Sequence, residues 1–202
     1  MSTTTSVTPR WEWRTFGDRF DEVDAVIALT PHSTATTRDL YLLGPRSDVN
    51  VKIRGGAGID VKHLERVDGE LELWVPVLKA TFPLAPDTAA RIWEHLDGDG
   101  SAIPSALCSL DALLDRVRRH PALRVVTVDK VRRGAVIDGC RVEIADLSID
   151  GSPWRTVGVE QEDAVQVRRT VRVLGLADHR PSNYVRALKE RLRISDCASG
   201  GR

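Results

Sequence analysis

Charged side chains that recur at every second position are the residues of this chain with the potential for chemistry. In the run NVKIR, Lys52 and Arg54 alternate with Val51 and Ile53. Successive side chains of a β-strand point to opposite faces, so the two basic groups would share one face of a strand. Such a face can hold phosphate oxygens through charge-assisted hydrogen bonds.

Other segments show the same alternation and add acidic groups to the charged faces. The alternating charged pairs are Asp60 and Lys62, Glu70 and Glu72, Arg141 and Glu143, and Glu160 and Glu162. Carboxylates at this spacing can hold a divalent cation such as Mg²⁺ or Mn²⁺. Two interpretations stay open: a half-exposed sheet with a solvated charged face, which is the commoner case, or a charged cavity whose apolar outer faces lie under helices.

Turn residues and hydrophobic periodicity define the elements that must position these groups. The predicted strands are 11–16, 38–43, 50–54, 58–67, 70–77, 124–136, 140–150 and 154–162. The predicted helices are 19–29, capped by Asp18, then 86–96, 104–120, 163–174, and 183–192, capped by Ser182. Eight strands with a helical insert and terminal helices indicate an α+β protein whose antiparallel sheet closes or nearly closes.

Composition narrows the class of protein further. The 202 residues carry 29 Lys or Arg and 29 Asp or Glu, and zero net charge argues against a general nucleic-acid surface. Three widely spaced cysteines favour a reducing, cytoplasmic setting, and no apolar run is long enough to span a membrane. Residues 1–9 and 195–202 are predicted to be disordered tails of a single domain at 10–194.

A basic run from Arg116 to Arg133 contains seven Lys or Arg, among them Lys130, and a single acidic residue, Asp129. We interpret it first as a solvated surface. The alternative is an outer rim that attracts polyphosphate or nucleic acid through its local field.

The chain resembles the triphosphate tunnel metalloenzyme superfamily, also called the CYTH domain, over residues 10 to 192. The order and spacing of its runs WEWRTF, RDLYLL, NVKIR, GIDVK, GELELWV, KVRRGAV, CRVEI and VGVEQE carry the resemblance, and PSNYVRALK is similar to the family's closing helix. The resemblance implies an eight-stranded antiparallel β-barrel, with helices packed outside, that binds a triphosphate group with Mg²⁺ or Mn²⁺ and most often hydrolyses it.

The resemblance also implies roles for individual residues. Metal ligands would be Glu12, Glu143, Glu160 and Glu162, and Glu72 resembles a further inward acidic position. Substrate phosphates would be held by Arg14, Lys52, Arg54, Lys62, Arg132, Arg141 and Arg186, with Lys62 and Arg132 also serving catalysis.

The opening strand departs from the family motif E-x-E-x-K at two positions. Arg14 stands where the family has its second glutamate, and Phe16 stands where it has lysine. An arginine in place of a carboxylate removes a metal ligand and adds a fixed cation, although its guanidinium can hold phosphate bidentately. The sequence therefore predicts low metal affinity at this site.

Two functions from different classes stay open on the sequence. The first is a metal-dependent phosphohydrolase that acts on inorganic triphosphate or an organic triphosphate. The second is a binding module that has kept the basic tunnel and lost the chemistry through Arg14 and Phe16. Both predict a small triphosphate or polyphosphate as partner, with no membrane and no nucleic acid.

Overall fold

Eight antiparallel strands form a closed barrel in the computed structural model, which describes residues 8–97 and 108–194. The strands are β1 (Arg10–Gly17), β2 (His32–Leu43), β3 (Val49–Arg54), β4 (Gly58–Asp68), β5 (Leu71–Thr81), β6 (Arg124–Ile137), β7 (Cys140–Ile149) and β8 (Ser152–Gln161). Their order around the barrel is β1, β5, β4, β3, β2, β6, β7 and β8. The first strand thus closes the barrel by pairing with the last.

Five helices pack against this barrel in the described part of the chain. They are α1 (Asp21–Ala28), α2 (Pro86–Asp97), α3 (Leu110–Arg119), α4 (Ala164–Val173) and α5 (Tyr184–Leu192). The α+β class with a closed eight-stranded barrel, as predicted, is confirmed. None of the helices that the structure describes is both long enough and apolar enough to cross a membrane.

Two apolar cores lie between the helices and the outer face of the barrel. Under α2 and α3, the outward side chains of β3 and β4 pack against the insert, with Ile53, Ile59 and Val61 fully buried. Under α1 and α4, Trp13 and the outward valines of β7 and β8 form the second core. Full burial of each such aliphatic side chain contributes about 1.5–3 kcal/mol. These cores force the alternate, charged positions of the same strands to face the barrel interior.

A third apolar cluster lies inside the barrel, at one end. Its strand residues have the same inward parity as the charged ones: Tyr41, Leu43, Val126, Val128, Ala145, Leu147 and Ile149. Helix α5 packs against them with Tyr184, Val185 and Leu188. Phe16 also belongs to this region, with its ring stacked on Trp154 at 4.7 Å between centroids. The barrel is therefore filled at the end covered by α5.

Several predicted boundaries are corrected by the structure. Strand β2 begins at His32, six residues before the predicted start, because its polar run pairs with β6 along the whole length. Helix α1 has Phe20 at its N-cap and no side-chain cap, so Asp18 does not cap it. Asn183, not Ser182, caps α5 by accepting a hydrogen bond from the Arg186 backbone N–H.

Two predictions fall wholly or largely on residues that the structure does not describe. The expected start of the second insert helix at Pro104 lies outside the described residues, and α3 begins at Leu110 with Ser109 as its N-cap. Most of the two predicted tails, residues 1–7 and 195–202, also lie outside them.

Candidate functional site

A cavity of about 1400 Å³ occupies the rest of the barrel interior. It opens at the end opposite α5, where His32, Arg54, Lys79 and Val136 lie close to the ends of their strands. Tyr41 and Tyr184 separate its floor from the apolar cluster. Of the two interpretations of the alternating charges, the structure supports the enclosed cavity.

Basic side chains outnumber acidic ones in the lining of this cavity. The basic residues are Arg10, Arg14, Lys52, Arg54, Lys62, Lys79, Lys130, Arg132 and Arg141. The acidic residues are Glu12, Asp39, Asp60, Glu143 and Glu160. Nine cationic groups against five carboxylates leave a surplus of four positive charges, although the whole chain is formally neutral.

The deepest charged groups are Lys130 and Asp39, both about 95% buried. Lys130 Nζ lies 2.9 Å from a carboxylate oxygen of Asp39 and donates a hydrogen bond to Tyr41 Oη at 2.8 Å. Its ammonium is also 4.1 Å from the ring centroid of Tyr184. Burial disfavours the charged form of Lys130, yet its contacts with Tyr41, Tyr184 and Asp39 hold its pKa above the usual value.

Lys52 lies beside this pair in a less favourable environment. Its Nζ is 3.9 Å from Asp39, which already binds Lys130 more closely. Burial, together with the positive charges of Lys130 and Arg54, holds the pKa of Lys52 well below the ordinary value of 10.5. An anion in the cavity would relieve this repulsion and favour the charged form of the lysine.

Arg14 lies in the middle of the cavity wall with its guanidinium held on several sides. Its Nε donates to Glu12 Oε1 at 2.6 Å, and Nη1 donates to Thr156 Oγ1 at 3.3 Å. The same Nη1 is 3.7 Å from Glu143, while the guanidinium carbon is 4.8 Å from the ring centroid of Tyr184. Burial raises the pKa of Glu12, but the charges of Arg14 and Lys62 outweigh burial and hold that pKa below normal.

Ion pairs surround the open end of the cavity. Glu160 lies 3.6 Å from Arg10 and 3.7 Å from Arg141. Arg132 reaches Glu143 at 3.5 Å from the neighbouring strand. Arg54 pairs with Asp60 across β3 and β4. These side chains are more exposed than those at the floor, so they are available to an incoming anion.

The structure brings together nine of the eleven residues predicted for the site. Lining the cavity are Glu12, Arg14, Lys52, Arg54, Lys62, Arg132, Arg141, Glu143 and Glu160. Glu162 is exposed beyond the last residue of β8, where the chain turns toward α4, so its expected place beside Glu160 is wrong. Arg186 pairs with Glu72 instead of facing the cavity.

Glu72 is inward and buried, as expected, but its carboxylate is already occupied. It accepts hydrogen bonds from Trp74 Nε1 at 3.0 Å and from Asn183 Nδ2 at 3.0 and 3.1 Å, in addition to the pair with Arg186. Its role is to tie the start of α5 to β5. Arg186 is therefore a structural cation here, which explains why it is not among the lining residues.

The lining residues that sequence reasoning did not assign to the site include Asp39, Tyr41, Lys130 and Tyr184, which lie at the floor of the cavity. The sequence interpretation places Lys130 in a solvated surface run, although Lys130 is two positions from Arg132 and so points to the same side of β6. This alternation is the sequence signal that predicts an inward position for Lys130. No such signal exists for Tyr41 and Tyr184, because an aromatic residue that faces the cavity cannot be distinguished in sequence from one in an apolar core.

The carboxylates do not fit a resident two-metal site. Each of the five that line the cavity lies within 4 Å of a lysine or arginine nitrogen. The described residues contain no group of three or more His, Cys, Asp or Glu side chains that could hold a metal ion. Arg14 lies between Glu12 and Glu143, so its cation fills the space that a metal would need. Binding of Mg²⁺ or Mn²⁺ by Glu12, Glu143 and Glu160 therefore stays a prediction from the resemblance.

Solved structures share this architecture at low sequence identity. A conserved hypothetical protein from Pyrococcus furiosus superposes with a TM-score of 0.52 at 12% identity, over 88% of this chain and 98% of that one. A Pyrococcus horikoshii protein gives 0.50 at 13%, over 87% and 98%. An adenylyl cyclase candidate from Hippeastrum with a dominant triphosphatase activity gives 0.51 at 8%, over 91% and 95%.

Sequence comparison adds no further assignment. No protein-family model matches the chain, and no curated protein matches it. These structural neighbours share the closed-barrel fold that the resemblance in sequence predicts. At such low identities the likeness establishes the fold.

Proposed function

We propose that this chain binds a linear triphosphate group, inorganic or carried by an organic molecule, inside the barrel. The observation that carries the proposal is the surplus of four positive charges in the barrel cavity of a protein whose formal net charge is zero. Cations that outnumber the carboxylates around one cavity repel one another in the free protein, and a polyanion is the ligand that offsets this repulsion.

The charge of the ligand matches the surplus in magnitude. A terminal phosphate carries about −1.5 to −2 near neutral pH and an inner one about −1, so a linear triphosphate carries about −4 to −5. A single phosphate would leave most of the surplus in place. The match supports three phosphates, or the triphosphate end of a larger molecule, over orthophosphate.

Two lysines in the cavity are weakly paired with carboxylates and so are available to bind phosphate. Lys52 is only loosely paired with Asp39, and Lys62 has no carboxylate within 4 Å among the described residues. Arg132 and Arg141 at the open end would hold the outer phosphates through guanidinium hydrogen bonds, which have the geometry that phosphate prefers. Lys130 supports the floor of the site by fixing Asp39 and Tyr41.

Hydrolysis of the bound triphosphate is the second candidate function. The triphosphatase activity of the Hippeastrum protein, which shares the fold, favours it. In that case Lys62 and Arg132 would stabilise the charge that develops on the transferring phosphate, as the resemblance implies. The paired carboxylates argue for slow turnover, because none of those lining the cavity is free to act as a base or a ligand.

Calorimetric titration with inorganic tripolyphosphate tests the proposal. Lys52→Met should weaken binding about 10- to 150-fold, the equivalent of about 1.5–3 kcal/mol for a lost charged hydrogen bond. Arg118→Gln removes an exposed cation of α3 outside the barrel and serves as the matched control, with affinity unchanged. Equal affinity in the wild type and Lys52→Met would exclude the cavity as the site.

A phosphate-release assay on the same samples separates the two candidate functions. Release of orthophosphate that stops in Lys62→Met would support hydrolysis. Tight binding with no release over hours would leave binding as the function.

A further inference from the structure

Arg14, Gly158 and Glu143 form a row across three neighbouring strands in the cavity wall. Arg14 on β1 pairs with Gly158 on β8, which pairs in turn with Glu143 on β7. A Cβ atom at position 158 would lie 2.3 Å from Arg14 Nη2. Glycine therefore leaves open the space in which the guanidinium lies, and lets Arg14 reach across β8 toward Glu143.

The guanidinium in this row is a permanent cation held in one place. Glu12 binds its Nε, and both Thr156 and Glu143 lie on its Nη1 side. Its side chain is only 11% exposed, and although burial lowers its pKa, Glu12, Tyr184 and Glu143 together hold that pKa above the ordinary range. One fixed positive charge thus stands between two carboxylates on opposite sides of Gly158.

A divalent cation would meet this charge at close range. A metal bound to Glu12 or Glu143 would have to displace the guanidinium or lie beside it, and like charges at a few ångströms in a poorly solvated cavity repel strongly. A polyanion without a bound metal ion is instead attracted by Arg14 and by the other cations of the cavity. A magnesium complex carries two fewer negative charges and so matches the cavity less well.

We propose that the cavity binds a linear triphosphate in its metal-free form. The guanidinium of Arg14, held between Glu12 and Glu143, provides the positive charge at the place that the resemblance assigns to a metal ion. This inference rests on the proposed triphosphate-binding function and specifies which species of the ligand binds. Arg14 then supplies the positive charge, and Gly158, which has no side chain, leaves room for its guanidinium.

Titration of inorganic tripolyphosphate at constant ionic strength, with EDTA or with excess MgCl₂, tests the inference on the wild-type protein. Affinity should be at least tenfold higher in EDTA. No binding in either condition would overturn the proposed function itself. Binding that is equal in both conditions, or stronger with Mg²⁺, would overturn this inference and leave the proposed function standing.

Because Mg²⁺ also sequesters tripolyphosphate in solution, the variants must show that the preference belongs to Arg14. In Arg14→Glu the preference should invert, with tighter binding in MgCl₂ than in EDTA. The same variant should bind Mn²⁺ in the absence of phosphate, by electron paramagnetic resonance, where the wild type does not. Arg118→Gln should keep the wild-type ratio, and a wild-type ratio in Arg14→Glu would contradict the inference.

Two further variants separate charge from position. Gly158→Ala retains every charge but pushes the guanidinium out of its place, and should weaken binding in EDTA at least tenfold. Arg14→Gln leaves Glu12 without its partner, so the double variant Glu12→Gln/Arg14→Gln is measured alongside it, with circular dichroism to confirm folding. Wild-type affinity in folded Gly158→Ala and in the double variant would show that Arg14 does not contact the anion.

Discussion

The two ends of the barrel interior use the same strands and the same inward parity for opposite purposes. On β6, Lys130 and Arg132 face the cavity, while Val126 and Val128 face the apolar cluster under α5. On β7, Glu143 gives way to Ala145 and Leu147 in the same manner. The alternation along each strand therefore determines which side chains face inward. Whether an end of the interior is apolar or charged depends on whether α5 covers it.

The two ends also differ in what each contributes to stability. The apolar end resembles an ordinary core, where removing atoms leaves a void. The charged end carries more cations than it can neutralise, so it is stabilised by a ligand and is less stable without one. Substitutions at the two ends should consequently move stability in opposite directions.

The largest effect is expected at the apolar end. Leu188 on α5 is fully buried, and Leu188→Ala should lower the free energy of unfolding by about 2–5 kcal/mol through lost burial and the cavity left behind. Urea denaturation measures the change. A loss below about 0.5 kcal/mol would mean that α5 is dispensable for the core of the barrel.

A smaller loss is expected at the boundary between the two ends. Lys130→Met leaves Asp39 and Tyr41 without their main partner and should cost about 1–3 kcal/mol, with Lys52 remaining near Asp39 as a partial replacement. The double variant Asp39→Asn/Lys130→Met removes the uncompensated charge and should recover part of the loss. Denaturation curves in which the double variant is the less stable one would refute this account.

The smallest effect, and the only gain, is expected at the charged end. Lys52→Met should raise the stability of the free protein, because it removes a buried ammonium that is desolvated and repelled by Lys130 and Arg54. Lys52 faces Asp39, Arg54, Lys62 and Lys130 from four strands. Its lowered pKa means that the unfolded chain binds more protons than the folded one between that pKa and 10.5.

This contribution to the stability of the wild type should therefore rise with pH across that window and be constant below the lowered pKa, where both states are protonated. Thermal melts of both proteins at a series of pH values test the sign. In Lys52→Met this component of the pH dependence should vanish. Identical pH profiles would show that Lys52 is not strained in the free protein.

The sequence predicted the closed barrel and most of the cavity because the outer cores impose a strict alternation on their strands. Val51 and Ile53 are buried outside, which leaves Lys52 and Arg54 no other side than the inside. Where the alternation is absent the prediction failed, as in residues 32–37 of β2, whose polar run has no apolar face.

The errors at the site have a different cause for each residue. Nothing near Arg186 indicates that Glu72, on another strand, will neutralise it. Glu162 follows Glu160 at the right spacing, but β8 ends one residue too early for spacing to determine its direction. For Lys130 the sequence did hold the correct signal. Its alternation with Arg132 on β6 predicts an inward side chain, but the basic run around it favoured a surface position.

The closure of β1 onto β8 bears on the order in which this molecule can assemble during synthesis. Among the eight strands of the barrel, β1 has its longest pairing with β8, and the apolar cluster inside the barrel is completed only by α5, which follows all of them. Contacts between segments so far apart slow folding and leave strand edges unpaired for longer. A nascent chain that stops before Ser152 will thus expose an open sheet edge, and one that stops before Tyr184 will expose the inward residues Tyr41, Val128 and Leu147.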